Sequence, residues 1–253
     1  MHIQKMWQIL SELDLLYAHL MNEVMAAFSH EIIDRDDFYN TSPGNILPEQ
    51  IIETIQDQLT DKKYTEYESC VVEFCITNEY VVAGENWNCI KHWLDHHKKQ
   101  LNKSDLKYLK ALNNSYVSVY QIVSVSPNES IELQDMIEVD QPSVIIANKA
   151  LSKTAKESGF IATRLLKTRS KADSANYQIS NTLLHLPDEV AQSSINVIKM
   201  MTQAMNSHLI RATDLNTPDN QLLQKKLWIK EILEHWYIHN CDHRSETSEP
   251  VFH

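Results

Sequence analysis

Apolar residues recur at helical spacing through the first part of the chain. In residues 3–29 they return every three or four positions, which predicts an amphipathic helix. Pro48 suits the first turn of a second helix that ends near Leu59, because proline lacks the N–H that a helix start leaves unpaired. Shorter helices are predicted at 65–77, 87–100 and 104–112. Residues 1–113 are therefore interpreted as a mainly helical region.

The pattern changes to period-two alternation after residue 113. Val117, Val119, Val123 and Val125 alternate with mostly polar residues, as in a half-buried strand. Turn residues separate this segment from four others of the same kind, and the five predicted strands are 116–125, 131–137, 143–147, 160–166 and 177–184. Short strands packed this closely favour a small antiparallel β-barrel or curled sheet in residues 114–186.

Helical spacing returns after Pro187. Residues 187–239 are predicted as C-terminal helices, with Trp228 and Trp236 on one face as core anchors, and the polar segment 240–253 as a flexible tail. The order of helices, a small β unit and more helices indicates the α+β class.

Charge and glycine content exclude several classes of function. The 253 residues carry a formal net charge of −11, which disfavours binding to a phosphate backbone, although a local basic stripe spans Lys149–Lys171. Only Gly44, Gly84 and Gly159 are present, too far apart to form a phosphate-binding loop or a nucleophile elbow. Dinucleotide-binding, P-loop and α/β-hydrolase readings are therefore excluded.

The cysteines and the apolar segments help to predict the cellular compartment of the protein. Cys70, Cys75, Cys89 and Cys241 form no C-x-x-C pair, and four cysteines in a chain of this length do not make a disulfide scaffold. No run approaches about 18 apolar residues, and the first residues do not read as a secretory signal. We expect a cytoplasmic protein with free thiols and no membrane association.

A family resemblance covers less than half of the chain, from about Val72 to Glu189. It is carried by the ordered segments LNKSDLKYLKALNNSYVSVYQIVSV (101–125), IELQDMIEVDQPSVII (131–146), GFIATRLL (159–166) and LLHLPDEV (183–190). In these segments the chain resembles a group of uncharacterised bacterial proteins, many of which end in an SEC-C zinc motif. The resemblance implies a fold and no catalytic residues. Residues 139–142 replace the glycine-containing turn of that group, and the SEC-C motif itself is absent.

Two histidine and cysteine clusters are candidate metal sites. His235 and His239 are four residues apart near a helix end, and Cys241 and His243 follow at once. Imidazole and thiolate are preferred zinc ligands, and such a spacing puts both histidines on one helical face. Cys89, His92 and His96 form a second stripe. The alternative is that histidines cluster by chance and that Cys89 is a buried apolar residue.

Three functions follow from these observations. The first is a non-enzymatic interaction module that presents an acidic surface to a protein partner, and a deep pocket lined with titratable groups of shifted pKa would argue against it. The second is a zinc protein, structural or hydrolytic, that uses either cluster. The third, ranked last, is a nucleic-acid binder that uses the basic stripe.

Overall fold

The computed structural model describes Leu20 and residues 59–82, 85–97, 99, 101–167, 177–209 and 218–247. The helices within these residues are α1 (Asp61–Thr77), α2 (Cys89–His97), α3 (Lys103–Asn113), α4 (Leu151–Thr154), α5 (Asp188–Leu209), α6 (Pro218–Lys226) and α7 (Trp228–Thr247). The strands are β1 (Glu79–Val82), β2 (Glu85–Asn88), β3 (Val117–Ser126), β4 (Ser130–Asp135), β5 (Val144–Ala147), β6 (Phe160–Lys167) and β7 (Tyr177–Leu186). The predicted helices at 3–29 and 48–59 lie outside the described residues, except for Leu20 and Leu59.

Five of the strands form one antiparallel sheet in the order β5-β4-β3-β6-β7. Register shifts interrupt it between Ile122 and Ser124 and between Thr163 and Leu165, and irregularities of this kind bend a strand and increase its twist. The edge strands β5 and β7 approach within 8 Å of each other, but no ladder joins them among the described strands. The prediction of a curled five-stranded sheet is therefore confirmed, and the barrel alternative is wrong.

Each face of this sheet has its own core, as the period-two pattern requires. On the outer face, Val119, Ala162 and Leu184 pack into the main core with the long helices. The other members include Phe74 of α1 and Trp236 of α7. The inner face carries a second cluster of buried side chains: Tyr120, Ile122, Ile131, Leu133, Ile146, Leu151 and Ile161. The sheet is thus the wall between a large helical core and a small core inside the curl.

The helices differ from the predicted ones mainly at their ends. The N-cap of α3 is Asn102, two residues before the predicted helix start at 104, and its side-chain oxygen accepts a hydrogen bond from the Asp105 N–H at 2.8 Å. The hairpin of β1 and β2 precedes α2 in a segment predicted partly as helix. Within the predicted C-terminal helices of residues 187–239, α6 and α7 meet at Leu227. Helix α7 continues to Thr247, into the segment predicted as a tail. Among the described residues, no helix combines the length and the apolar composition needed to cross a membrane.

A buried ion pair ties α1 to the sheet. The Arg164 guanidinium donates to the Glu73 carboxylate at 2.7 Å, and the two side chains are 1% and 0% exposed. Arg164 also donates to the Ser115 carbonyl at 2.6 Å and to the Thr77 hydroxyl at 3.1 Å. The sequence placed Arg164 within the basic stripe of residues 149–171. Because its side chain is buried, Arg164 is not part of an exposed basic surface. Its contacts hold the start of β3 and the end of α1 against β6.

Candidate functional site

A cleft of about 1110 Å³ opens at one end of the curled sheet. The starts of β3, β5 and β7 and the ends of β4 and β6 meet there, because neighbouring antiparallel strands run in opposite directions. Helices α3 and α6 complete the walls. The lining residues that bear chemistry are Lys107, Tyr108, Lys110, Tyr116, Tyr120, Asp135, Glu138, Lys167, Tyr177 and Lys225.

Asp135 is a buried carboxylate in the wall of this cleft. The pleat of β4 places it on the same face as Ile131 and Leu133, and it is only 8% exposed. One oxygen, Oδ1, accepts hydrogen bonds from the Ser118 hydroxyl at 2.9 Å and from the backbone N–H groups of Ile137 and Glu138 at 2.8 and 2.9 Å. Burial raises the pKa of Asp135 above its ordinary value, and these hydrogen bonds oppose the shift. The carboxyl group is therefore held in one orientation at the cleft.

Tyrosines form much of the remaining wall. Tyr120 pairs directly with Asp135 across β3 and β4, so the two side chains are neighbours on the inner face of the sheet. Burial raises the pKa of Tyr120 well above its ordinary value, and the Asp135 charge adds to the shift. Burial also raises the pKa of Tyr116, with Glu138 contributing. Both hydroxyls therefore stay protonated at neutral pH and can donate hydrogen bonds.

Tyr116, Glu138 and Lys225 form a connected cluster at one side of the cleft. The Tyr116 hydroxyl donates to Glu138, and the Lys225 ammonium forms an ion pair with the same carboxylate. The Lys225 nitrogen lies 4.9 Å from the centre of the Tyr116 ring and 5.9 Å from that of Trp228. Glu138 and Lys225 also line a second pocket of about 340 Å³. Glu138 and Lys225 therefore lie in the walls of both pockets.

The lining of the cleft has the opposite charge to the whole chain. Lys107, Lys110 and Lys167 are exposed at its rim, and Lys225 is half-buried further in. These four lysines face two carboxylates, so the lining has a formal excess of positive charge in a chain with net charge −11. Of the predicted basic stripe, Lys167 lies at the cleft, whereas Lys149 and Lys153 lie at the opposite end of the strands, just before and within α4. The cleft is therefore a local positive region within an acidic protein.

In the predicted Cys89–His96 stripe, Cys89 is buried in the core, whereas His92 and His96 remain neighbours. Cys89 is fully buried in the main core, and its thiol donates to the Leu20 carbonyl at 3.1 Å. His92 is half-buried and His96 is exposed, with their ring centres 4.3 Å apart. The reading of Cys89 as an apolar core residue is thus borne out by its position. Cys70, Cys75 and Cys89 are buried, and none of these three described cysteines forms a disulfide.

The predicted C-terminal cluster lies along α7. His235 Nδ1 lies 2.7 Å from the Glu231 carbonyl oxygen, and His239 Nδ1 lies 3.0 Å from Oε1 of Glu189 on α5. Cys241 and His243 fall within the same helix, but their side chains lie outside the described part of the structure. Among the side chains that are described, no three histidine, cysteine, aspartate or glutamate residues converge where a metal ion could bind.

Of the cleft residues, only Lys167 was singled out from the sequence, as part of the basic stripe, although a signal for Asp135 was present. In the segment 130–135, the alternation that buries Ile131 and Leu133 places Asp135 on the same apolar face. A charged residue at such a position needs a partner or a function. The lysines and tyrosines gave no such signal, because they come from separate elements that meet only in the folded chain.

The fold and the cleft define an α+β protein in which helices pack on one face of a curled sheet that is open at one end. The chain belongs to the family of unknown function DUF7986, whose model matches residues 50–212. The match includes every cleft residue named above except Lys225. The prediction of an uncharacterised family is confirmed at that level. No curated protein and no solved structure matches the chain.

Proposed function

We propose that the protein is a non-enzymatic binding protein that takes a small ligand in the cleft at the open end of its sheet. The observation that carries this proposal is Asp135, an 8% exposed carboxylate oriented by three hydrogen bonds in the wall of an open cavity. Burying a carboxylate costs free energy that an apolar residue would not. Ligand pockets typically combine apolar and aromatic walls with a few fixed polar groups of this kind.

The chemistry of the lining supports binding over catalysis. The described lining residues include neither histidine nor cysteine, the usual partners in nucleophilic and general base catalysis. The raised pKa values of Tyr116 and Tyr120 make these hydroxyls weaker acids, so they stay protonated as donors and are not available as tyrosinate bases. The pKa of Asp135 is shifted in the direction that a general acid requires, but the described lining places no histidine or cysteine beside it.

A pocket with shifted titratable groups argues against an interaction made only through the acidic outer surface. A protein partner on that surface stays a prediction, and so do zinc binding at the histidine clusters, nucleic-acid binding by the basic stripe and a cytoplasmic location. The bacterial origin and the SEC-C association that the resemblance implied have the same status. The proposal is therefore restricted to the cleft.

A ligand panel read by thermal unfolding tests the proposal. The full chain is heated with separate sets of amines, amino acids, sugars, organic acids and nucleotides. A ligand at about 100 times its Kd stabilises the folded state by about 2.7 kcal/mol, which raises the Tm of a chain of this size by roughly 5–10 °C. Gln178→Trp narrows the cleft from an exposed lining position, and Asn181→Trp is its control at an exposed position of the same strand outside the cleft.

The proposal is supported if at least one class raises the Tm of the wild type and of Asn181→Trp but not that of Gln178→Trp. It is wrong if no class stabilises the chain, or if the stabilisation is the same in both variants. Crystals soaked with the stabilising compound would then show whether it contacts Asp135.

A further inference from the structure

We infer that the ligand of the cleft is a small anion that carries a planar ring with hydrogen-bonding groups, the chemistry of a nucleoside monophosphate. This inference rests on the proposed function and names its substrate class. Three separate features of the lining support it: the lysines at the rim, the aromatic walls and the buried carboxyl group of Asp135. Each would contact a different part of such a ligand.

The lysines at the rim of the cleft favour a negatively charged ligand. Lys107 and Lys110 are one turn apart on α3, and Lys167 ends β6 at the same opening. The rest of the molecule is strongly acidic, so cations are attracted to its surface in general but opposed at this opening. A phosphate or carboxylate group at the rim would meet ammonium groups from two elements. A cationic ligand is disfavoured for the same reason.

The walls favour a flat, partly apolar body. Tyr108, Tyr120 and Tyr177 reach the cleft from a helix and two strands, with Val144 and Leu165 between the polar groups. Tyrosine faces stack on planar rings, and stacking on a base contributes about 1–3 kcal/mol. The Tyr116 ring already has the Lys225 ammonium over its face. Of the other three tyrosines, Tyr108 and Tyr177 are half-buried, whereas Tyr120 is 6% exposed.

Asp135 supplies the hydrogen-bond selectivity. Its three protein hydrogen bonds all end on Oδ1, and Asp135 lines the cleft. A carboxylate accepts a hydrogen bond from the exocyclic amino group of a nucleobase. The cleft volume of about 1110 Å³ accommodates a ligand of this size. Rings with an amino group should therefore bind more tightly than rings that present only carbonyl oxygens.

Isothermal titration calorimetry with the full chain tests the inference. The probes are AMP, GMP, CMP and UMP, each compared with its nucleoside, which lacks the anion, and with inorganic phosphate, which lacks the ring. We expect at least one monophosphate to bind about tenfold more tightly than its nucleoside and than phosphate, with an affinity that falls as salt rises. Lys107→Gln should weaken that binding roughly fivefold. Lys103→Gln, an exposed lysine of the same helix outside the cleft, should leave it unchanged.

Asp135→Asn separates recognition from folding. The amide keeps an acceptor oxygen for the three protein donors and replaces the other oxygen by a donor. We expect it to reduce the preference for CMP over UMP, which a purely structural role of Asp135 would not change. The inference is overturned if no monophosphate binds more tightly than its nucleoside, or if Lys107→Gln and Lys103→Gln behave alike. If another class from the ligand panel binds in the cleft instead, the proposed function stands and this inference alone fails.

Discussion

Four buried ionisable side chains lie at the ends or the contact surfaces of helices and strands. Glu73 and Arg164 lie between α1 and β6, Asp135 ends β4, and Lys226 ends α6 with its ammonium 2.8 Å from the Thr77 carbonyl oxygen. All four are at most 8% exposed. A buried charge is costly unless it is paired. The effect of substituting each residue therefore depends on which partners lose their hydrogen bonds.

Arg164→Met should be strongly destabilising because it leaves the Glu73 carboxylate buried without its cation. Breaking a buried pair in this way costs about 3–5 kcal/mol. The double variant Glu73→Leu/Arg164→Met removes both charges and should be less destabilised than the sum of its two single variants. Urea unfolding of the four proteins measures the coupling. Lys62→Ala, which removes a mostly exposed ion pair with Glu66, is the control and should cost less than about 1 kcal/mol. Additive costs would contradict the buried-pair argument.

Asp135 should make stability depend on pH. Its folded pKa is raised by burial, so between its ordinary pKa and that raised value the folded state binds more protons than the unfolded state. The contribution of Asp135 therefore falls as pH rises through this window. The stability of Asp135→Asn relative to the wild type should then increase as pH rises through this window. Chemical unfolding of both proteins across that range measures the difference, and a constant difference would refute the prediction.

Lys226 should make stability depend on pH in the alkaline range, in the opposite direction to Asp135. Burial, with a contribution from the Arg164 charge, lowers the pKa of Lys226 from 10.5 to about 8. Between these values the unfolded state binds the proton and the folded state does not, so the contribution of Lys226 to stability rises with pH. Relative to the wild type, Lys226→Met should lose on the order of 3 kcal/mol between about pH 7 and about pH 10.5. Lys225→Met is the neighbouring control, and equal curves for the two variants would count against the prediction.

At the scale of elements, the strands of the sheet were predictable and several helix boundaries were not. All five predicted strands occur with ends within two residues of the predicted ones, and burial alternates with a clear period of two in β4 and β7. The β1–β2 hairpin was missed because four-residue strands are too short to show a period. The break at Leu227 was missed because apolar spacing continues across it. In each case tertiary contacts decide what the local pattern leaves open.

Asn88 links three elements through one side chain. Its oxygen accepts from the Lys91 N–H at 2.9 Å at the start of α2, and its amide donates to the carbonyls of Thr77 and Asn78 at the end of α1. Asn88→Ala should cost about 2–3 kcal/mol, because a cap and two buried hydrogen bonds are lost together. Asn102→Ala removes only an exposed cap and should cost about 1 kcal/mol in the same unfolding experiment. Equal costs would mean that the two carbonyl contacts contribute nothing.

At the scale of the molecule, sequence reasoning found the parts and not their assembly. The division into residues 1–113, 114–186, 187–239 and 240–253 follows real changes of pattern, but Phe74, Val119 and Trp236 of three such segments share one core. The cleft likewise forms only when strand ends, α3 and α6 meet. The sequence pattern can therefore predict that a residue such as Asp135 is buried. It cannot predict the cleft, because the lining residues are far apart in the sequence and meet only in the folded chain.

A shared sheet implies that the inner core and the helical core unfold together. Leu133 is fully buried in the inner cluster, which contains no tryptophan, whereas Trp228 and Trp236 belong to the main core. Leu133→Ala should cost about 2–5 kcal/mol. If β3 and β6 couple the two faces, this loss should shift the tryptophan fluorescence transition in urea as far as the far-UV circular dichroism transition. Leu184→Ala, in the main core, is the matched control. A fluorescence transition that stays in place while circular dichroism shifts would show that the curled sheet unfolds separately from its helices.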